Sequence, residues 1–203
     1  MRYAILTNPA SGTLNRESKH RALEPAATIL NARIYGLEAE TTEEFVRCAR
    51  EIARCTDILV VAGGDGTVSD VVNAIDTSRT PIAYLPLGSG NALAYGLGYP
   101  MGIVRSAHRI RAGRIHDYDL IHCDGRKRAI LASIGMEGTV IEFRDRYLAH
   151  GLRGFVAYGW AFFRACALRR RPLPLSLDLD GNRTDSPSKC CQKPLRSNAE
   201  RKA

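Results

Sequence analysis

A continuous apolar segment that ends in a glycine-rich turn constrains this fold more than any other feature. Residues 57 to 64 read DILVVAGG, and the chain continues as DGTVSDVVNAI, in which apolar residues recur at helical spacing. Strands that are apolar throughout are typical of parallel sheets, because helices cover both of their faces. The segment therefore predicts a buried parallel strand that turns sharply into a helix.

Similar pairs of strand and helix recur over the first 113 residues. Strands are predicted at YAIL, ARIYG, DILVVAGG and PIAYLPLG, and helices at 16–30, 41–55, 67–75, 91–97 and 103–112. This alternation predicts an α/β fold with an open, doubly wound sheet and right-handed crossovers. Ligands of such sheets bind outside the carboxyl ends of the strands, so the loops TNPASG, AGGDGT and LPLGSGN form the predicted binding edge.

The pattern changes after Gly113. Two short strands flank an Asp-Gly turn in DLIHCDGRKRAIL, which predicts a hairpin. RGFVAYGWAFFRACALRRR predicts an apolar helix, and the alternation in LPLSLDLDG predicts a half-buried strand. We predict one domain over 1–113, the incomplete start of a β-rich second domain over 114–181, and a disordered tail over 182–203.

Charge and cysteine content narrow the classes of function. The net charge is +8, and the segment from Arg164 onward carries ten Lys/Arg against four Asp/Glu. Such a basic segment is either a solvated tail or a contact for anionic lipid or nucleic acid. The six cysteines show no C-x-x-C spacing, so a zinc site or disulfide framework is not predicted. With no signal peptide recognised, we expect a cytoplasmic protein, soluble or peripheral on a membrane.

The GGDGT turn has the features of an anion site. Its glycines allow a sharp turn and close approach, and the following helix would offer unpaired N–H groups and the positive end of its dipole. The lysine of G-x-x-x-x-G-K-[ST] and the spacing of G-x-G-x-x-G are both absent. Asp65 would repel a phosphate unless a metal or proton transfer compensates. The alternative is a structural turn in which Asp65 caps the next helix.

The motifs NPASG, GGDGTVSDVVNAI and LPLGSGNALAYGLG, in this order, resemble the catalytic domain of the diacylglycerol kinase and sphingosine kinase family of lipid kinases. SIGMEGTV followed by GFVAYGWAFFRA resembles the start of that family's second, lipid-binding domain. The resemblance implies an ATP-binding kinase domain that transfers the γ-phosphate to a lipid hydroxyl with Mg²⁺. It also implies a lipid substrate at a membrane surface and no nucleic-acid partner.

The resemblance also implies roles for individual residues. Asp65 would carry out proton transfer, and no metal ligand is assigned. The residues that would cradle the phosphates are Gly63, Gly64, Asp65, Gly66, Thr67, Val68 and Ser69, completed by Gly88, Ser89 and Gly90, with Asn8 near the nucleotide.

The family-like sequence stops after Gly181, and we expect a truncated or frame-shifted product. Two alternatives to an active kinase therefore stay open. One is a catalytically inactive remnant that binds nucleotide without turnover. The other is a basic module that binds membranes or nucleic acid through residues 182 to 203.

Overall fold

The structure is a computed structural model that describes residues 1–12, 14–88, 90–123, 125–131, 136–152, 155–167, 174–179 and 182–187. Its contacts divide the chain into two compact units. The first contains Met1–Ile130, and the second lies within Leu131–Leu195. The predicted domain boundary at residue 113 stays a prediction.

The first unit alternates strands and helices. Its elements are β1 (Tyr3–Thr7), α1 (Arg16–Leu30), β2 (Arg33–Tyr35), α2 (Thr42–Ala53), β3 (Ile58–Gly63), α3 (Asp65–Ala74), β4 (Ile82–Pro86), α4 (Ala92–Gly96), α5 (Ile103–Ala112), β5 (Ile121–Cys123) and β6 (Lys127–Ala129). Helix α3 begins two residues earlier than predicted, because the turn after β3 needs only Gly64.

Four parallel strands form the sheet, in the order β2-β1-β3-β4. Every residue of β3 is buried, as its apolar sequence predicted. Two separate apolar clusters cover the sheet. Phe45 of α2 and Val71 of α3 belong to one cluster, whereas Leu23 of α1 and Ala107 of α5 belong to the other. Helices therefore lie on both faces, and the predicted α/β fold is confirmed.

The predicted hairpin is also confirmed, since β5 and β6 pair as antiparallel strands. It is attached to α3. The Asn73 side chain accepts from the Arg128 backbone N–H at 2.8 Å and donates to the Arg128 carbonyl at 2.8 Å. The Arg128 guanidinium donates to the carbonyls of Val72 and Ile75. These bonds satisfy carbonyls that the end of α3 leaves without helical partners.

The second unit contains α6 (Met136–Ala149), α7 (Phe155–Ala167) and the antiparallel strands β7 (Pro174–Leu179) and β8 (Asn182–Pro187). The α7 helix and the β7 strand were predicted, whereas α6 was not, because its apolar residues form no single stripe. Strand β8 lies where the sequence pattern predicted none, since main-chain pairing with β7 needs no apolar residues. Residues 188 to 203 lie outside the described residues. No helix in the described ranges is long and apolar enough to span a membrane.

We predict that Asn73→Ala loosens the hairpin. Two hydrogen bonds to the backbone of Arg128 would be lost, at a cost of about 2 kcal/mol. Hydrogen exchange at the Arg128 amide should accelerate at least about tenfold. The Val60 amide in β3 serves as the internal control and should keep its protection. An unchanged rate at Arg128 would show that Asn73 does not attach the hairpin.

Candidate functional site

The turn between β3 and α3 lies at the carboxyl edge of the sheet. Gly64 is the N-cap residue, with φ −98° and ψ −177°, an extended conformation open to any residue. Gly63, Gly66 and Gly88 also avoid the left-handed region. The sequence suggested that these glycines are needed for a backbone conformation that other residues avoid, but none of the four adopts one. At three of the four positions glycine is needed because a side chain would not fit.

Two glycine loops touch at this edge. A Cβ atom on Gly88 would lie 2.4 Å from the Gly64 Cα, and one on Gly64 would lie 3.3 Å from the Gly88 Cα. A Cβ atom on Gly63 would lie 2.7 Å from the Thr67 side chain. Gly66 differs, since nothing lies within 4 Å of its Cβ position. The first three glycines permit close packing, whereas Gly66 faces open space.

Asp65 joins the starts of two helices. It is the first residue of α3, yet its carboxylate accepts hydrogen bonds from the backbone N–H groups of Ala92 at 3.0 Å and Leu93 at 2.9 Å, at the start of α4. The alternative that Asp65 caps the helix directly after the turn is therefore wrong, because Asp65 lies inside α3 and its carboxylate caps α4 instead. The N–H groups of Ala92 and Leu93 thus face a negative charge at the positive end of the α4 dipole, which stabilises the start of this helix.

Helix α3 itself has no side-chain cap among the described residues. Helices α1 and α2 are different, because the side chains of Asn15 and Thr41 accept bonds from their first turns. The first intrahelical bond of α3 runs from the Val68 N–H to the Gly64 carbonyl. The N–H groups before Val68 are therefore available to an external anion.

A buried polar network supports the second loop. Asn91 is 4% exposed and has φ 49° and ψ 42°, a left-handed conformation that Asn tolerates better than most residues. Its Oδ1 accepts from the Gly88 N–H at 3.0 Å, and its Nδ2 donates to the Gly88 carbonyl at 2.6 Å. The Tyr84 hydroxyl lies 2.9 Å from Asn91 Oδ1 and 3.1 Å from the Gly63 carbonyl oxygen. Burial, and secondly the charge of Asp65, raises the pKa of Tyr84, so the hydroxyl keeps its proton at neutral pH.

The NPASG loop meets the second loop through Gly12. This residue has φ +70°, and a Cβ atom there would lie 3.4 Å from the Leu87 carbonyl oxygen. The Leu87 N–H in turn donates to the Gly63 carbonyl at 2.9 Å. The three predicted loops are therefore brought together at one edge.

Lys19 anchors the NPASG loop. It lies on α1 and is only 1% exposed, and its ammonium donates to the carbonyls of Asn8 at 2.6 Å and Pro9 at 2.7 Å, and to that of Ser11. Desolvation lowers the pKa of Lys19, while the converging carbonyls stabilise its charged form. Charged groups this deeply buried require such partners.

Sequence reasoning missed both Lys19 and Tyr84. A signal existed for Lys19, because residues 19, 23, 26 and 30 share one helical stripe and all four are buried. A lysine on a buried stripe indicates a polar partner beneath the helix. Tyr84 gave a weaker signal, a hydroxyl inside an apolar strand.

The remaining predicted residues differ in what they offer a ligand. Asn8 is half-buried, and its Oδ1 accepts from the Ala10 N–H at 2.9 Å within its own loop. The Val68 side chain lies in the core, and the Thr67 side chain is buried. Ser69 is partly exposed, Gly90 is exposed, and Ser89 lies outside the described residues.

We predict that Gly88→Ala destabilises the first unit by about 2 kcal/mol or more, because its methyl group would overlap the Gly64 backbone. Gly66→Ala is the matched control. It adds the same methyl group to a helical position with free space, and should leave stability unchanged or raise it by up to about 1 kcal/mol. Urea unfolding measures both, and equal losses would contradict the packing argument.

We predict that Lys19→Met costs about 3 kcal/mol or more, because it leaves buried carbonyls without a donor. Arg21→Met, on the same helix, removes one exposed cation that pairs with Glu17 and should cost less than about 1 kcal/mol. Comparison of the two free energies of unfolding tests the anchor. Similar values for both variants would show that Lys19 is not structurally special.

Comparison with known proteins agrees with this geometry. Residues 2–123 match the family model for the diacylglycerol kinase catalytic domain. Diacylglycerol kinases from Mycobacterium tuberculosis and Staphylococcus aureus are 30% and 28% identical, covering 87% and 89% of this chain. The crystal structure of a diacylglycerol kinase from Bacillus anthracis superposes with a TM-score of 0.62 at 20% identity, over 91% of this chain and 61% of that one.

The similarity covers part of each relative. This chain spans 58% of the length of the two bacterial relatives compared by sequence. The structural likeness supports the fold, and the family match includes all three loops at the carboxyl edge. The chain belongs to the diacylglycerol kinase catalytic-domain family.

Proposed function

We propose that this chain is the nucleotide-binding part of an ATP-dependent lipid kinase, which transfers the γ-phosphate of ATP to a diacylglycerol- or sphingosine-like hydroxyl. One observation carries the proposal. The start of α3 has no side-chain cap among the described residues, because the Asp65 carboxylate is directed to α4 instead. A helix start with free N–H groups at a sheet edge is a common phosphate site.

The surroundings of this helix start support a triphosphate. Gly66 is exposed and leaves open space where a side chain would otherwise stand. The contact of Gly64 with Gly88 sets the second loop directly beside the first turn of α3. The Asn8 side-chain nitrogen makes no hydrogen bond within the described part of the chain and is available to a nucleotide. Preorganised donors of this kind supply most of what phosphoryl transfer requires of a protein.

In the proposed reaction the lipid hydroxyl oxygen bonds to the γ-phosphorus, and the bond from that phosphorus to the β–γ bridging oxygen breaks. ADP leaves, and the hydroxyl proton passes to Asp65. Each Asp65 oxygen already accepts one backbone N–H and retains a further lone pair. The same bonds hold the carboxylate in a fixed orientation, which a proton acceptor needs.

Mg²⁺ is proposed as a companion of ATP. The described residues contain no group of three or more His, Cys, Asp or Glu that would hold a metal on its own. In kinases Mg²⁺ commonly binds through phosphates, waters and only one or two carboxylates. The ion would neutralise charge on the phosphates.

A nucleotide-binding remnant without turnover is the second candidate. The matched residues 2–123 contain the three loops of the proposed nucleotide site. The relatives also extend well beyond the region that this chain shares with them. Both candidates predict ATP binding, and only the first predicts transfer.

The variant Asp65→Asn separates proton transfer by Asp65 from nucleotide binding. We expect it to lower phosphate transfer to diacylglycerol or sphingosine in mixed micelles by about 10²- to 10⁴-fold. Asn keeps one acceptor oxygen and loses one of the two bonds to α4, so ATP affinity should fall by only about tenfold. Transfer is followed with γ-labelled ATP, and binding by calorimetry. Asp57→Asn is the matched control, because it removes a carboxylate just before β3, at the opposite edge of the sheet.

The outcomes are distinct. If the wild-type protein does not bind ATP at millimolar concentration, both the kinase proposal and the nucleotide-binding remnant are contradicted. Binding without transfer by the wild type would favour the remnant. Full transfer by Asp65→Asn would exclude Asp65 as the proton acceptor while leaving the kinase proposal in place.

A further inference from the structure

One continuous part of the first unit carries no acidic residue. Between Asp76 and Asp117 the sequence contains five arginines and neither Asp nor Glu. Residues 1 to 76, in contrast, contain eleven acidic residues and eight Lys/Arg. The charge of the unit is therefore distributed unevenly along the chain.

The segment passes around the edge of the sheet, since Leu93 of α4 packs in the cluster with α2 and α3, whereas Ala107 of α5 packs in the cluster with α1. It forms the edge strand β4 and the helices α4 and α5. Helix α5 buries Ala107 and Ile110 against the cluster that contains α1, so its opposite face is turned to solvent. We call the exposed residues on and beside α5 the α5 surface; it includes Met101, Val104, Arg105, His108, Arg109, Arg111 and Arg114.

The cations of the α5 surface have no acidic partners among the described residues. Arg109 lies over the Tyr99 ring, and Arg111 donates to the Ile29 carbonyl. Arg105 and Arg114 form no hydrogen bond or ion pair in the same ranges. On α1, by comparison, Arg16, His20 and Arg21 all pair with a glutamate. The unpaired charge of the α5 surface favours an external anionic partner.

Apolar side chains are interspersed with these cations. Met101 is 44% exposed and Val104 is 45% exposed. A surface that combines unpaired arginines with exposed apolar groups fits the boundary of an anionic bilayer, where head groups and acyl chains are both within reach. A nucleic-acid backbone would use the cations but give the aliphatic groups no partner.

We propose that the α5 surface binds an anionic phospholipid bilayer. Arg111 near the end of α5 contacts Ile29 near the end of α1. The two helices therefore end at the same edge of the sheet. Helix α1 begins just after the NPASG loop, at the carboxyl edge of the sheet. Because α5 ends where α1 ends, α5 also begins near the edge that carries the three loops. A bilayer along α5 would lie next to the candidate site. The inference rests on the proposed function for its purpose, since a lipid kinase must reach its substrate in a membrane.

The test measures partition of the full chain into vesicles without nucleotide. The vesicles contain phosphatidylcholine alone or with phosphatidylserine, and sedimentation gives the bound fraction. The double variant Arg105→Gln, Arg114→Gln should lower the partition coefficient on phosphatidylserine vesicles by about thirtyfold. Both side chains lack partners in the described residues, so folding should not change.

The matched control is Arg47→Gln, Arg54→Gln on and just after α2. These residues are also exposed and lie on the other face of the sheet, and the control has the same net charge as the test variant. We expect its partition to change less than about threefold. A further variant, Met101→Ser with Val104→Ser, should lower partition severalfold without altering charge.

Three results would overturn the proposal. The first is that the protein does not bind phosphatidylserine vesicles. The second is that the test and control variants lose vesicle binding equally. The third is that the Arg105→Gln, Arg114→Gln variant loses affinity for single-stranded RNA while its vesicle binding is unchanged. ATP binding is measured separately on the same protein. A protein that binds ATP but not vesicles would refute the α5 surface alone, and the reverse would refute only the proposed function.

Discussion

The capping of one helix by a residue of another is the interaction on which the carboxyl edge depends. Asp65 begins α3, and its carboxylate binds the first N–H groups of α4. This bond holds the second glycine loop against the first, where Gly64 and Gly88 leave no space for a side chain. It also directs the negative charge away from the start of α3. The Asp65 carboxylate is thus compatible with the anion that we propose at the start of α3.

Buried polar groups give the same edge its rigidity. The Lys19 ammonium binds three carbonyls of the NPASG loop, and the Tyr84 hydroxyl with the Asn91 amide holds the turn around Gly88. Neither group reaches solvent to an appreciable extent. Loops normally move more than the strands they follow, but these loops are joined to the core by bonds that would be costly to break in a low dielectric. Such a frame is suited to a ligand whose phosphates must be held in one position.

Much of the first unit could be predicted because its elements are locally encoded. The apolar run of β3 and the stripes of α1 and α2 have periods that only one type of element satisfies. The roles of the glycines could not be predicted correctly. A glycine needed for space is indistinguishable in sequence from one needed for a positive φ, and only the approach of Gly88 to Gly64 decides between them. Helix α6 was missed because it lacks a clear apolar stripe.

The sequence by itself determined the class of fold and the edge of the sheet at which the three loops meet. These properties follow from hydrophobic periodicity and from the rule that parallel strands present their carboxyl ends together. Only the tertiary structure decided which helix Asp65 caps, what Lys19 binds and which cations remain unpaired. Those facts depend on residues far apart in the chain, such as Asp65 with Leu93 or Arg111 with Ile29. Contacts of this kind arise from packing in three dimensions and leave no local pattern in the sequence.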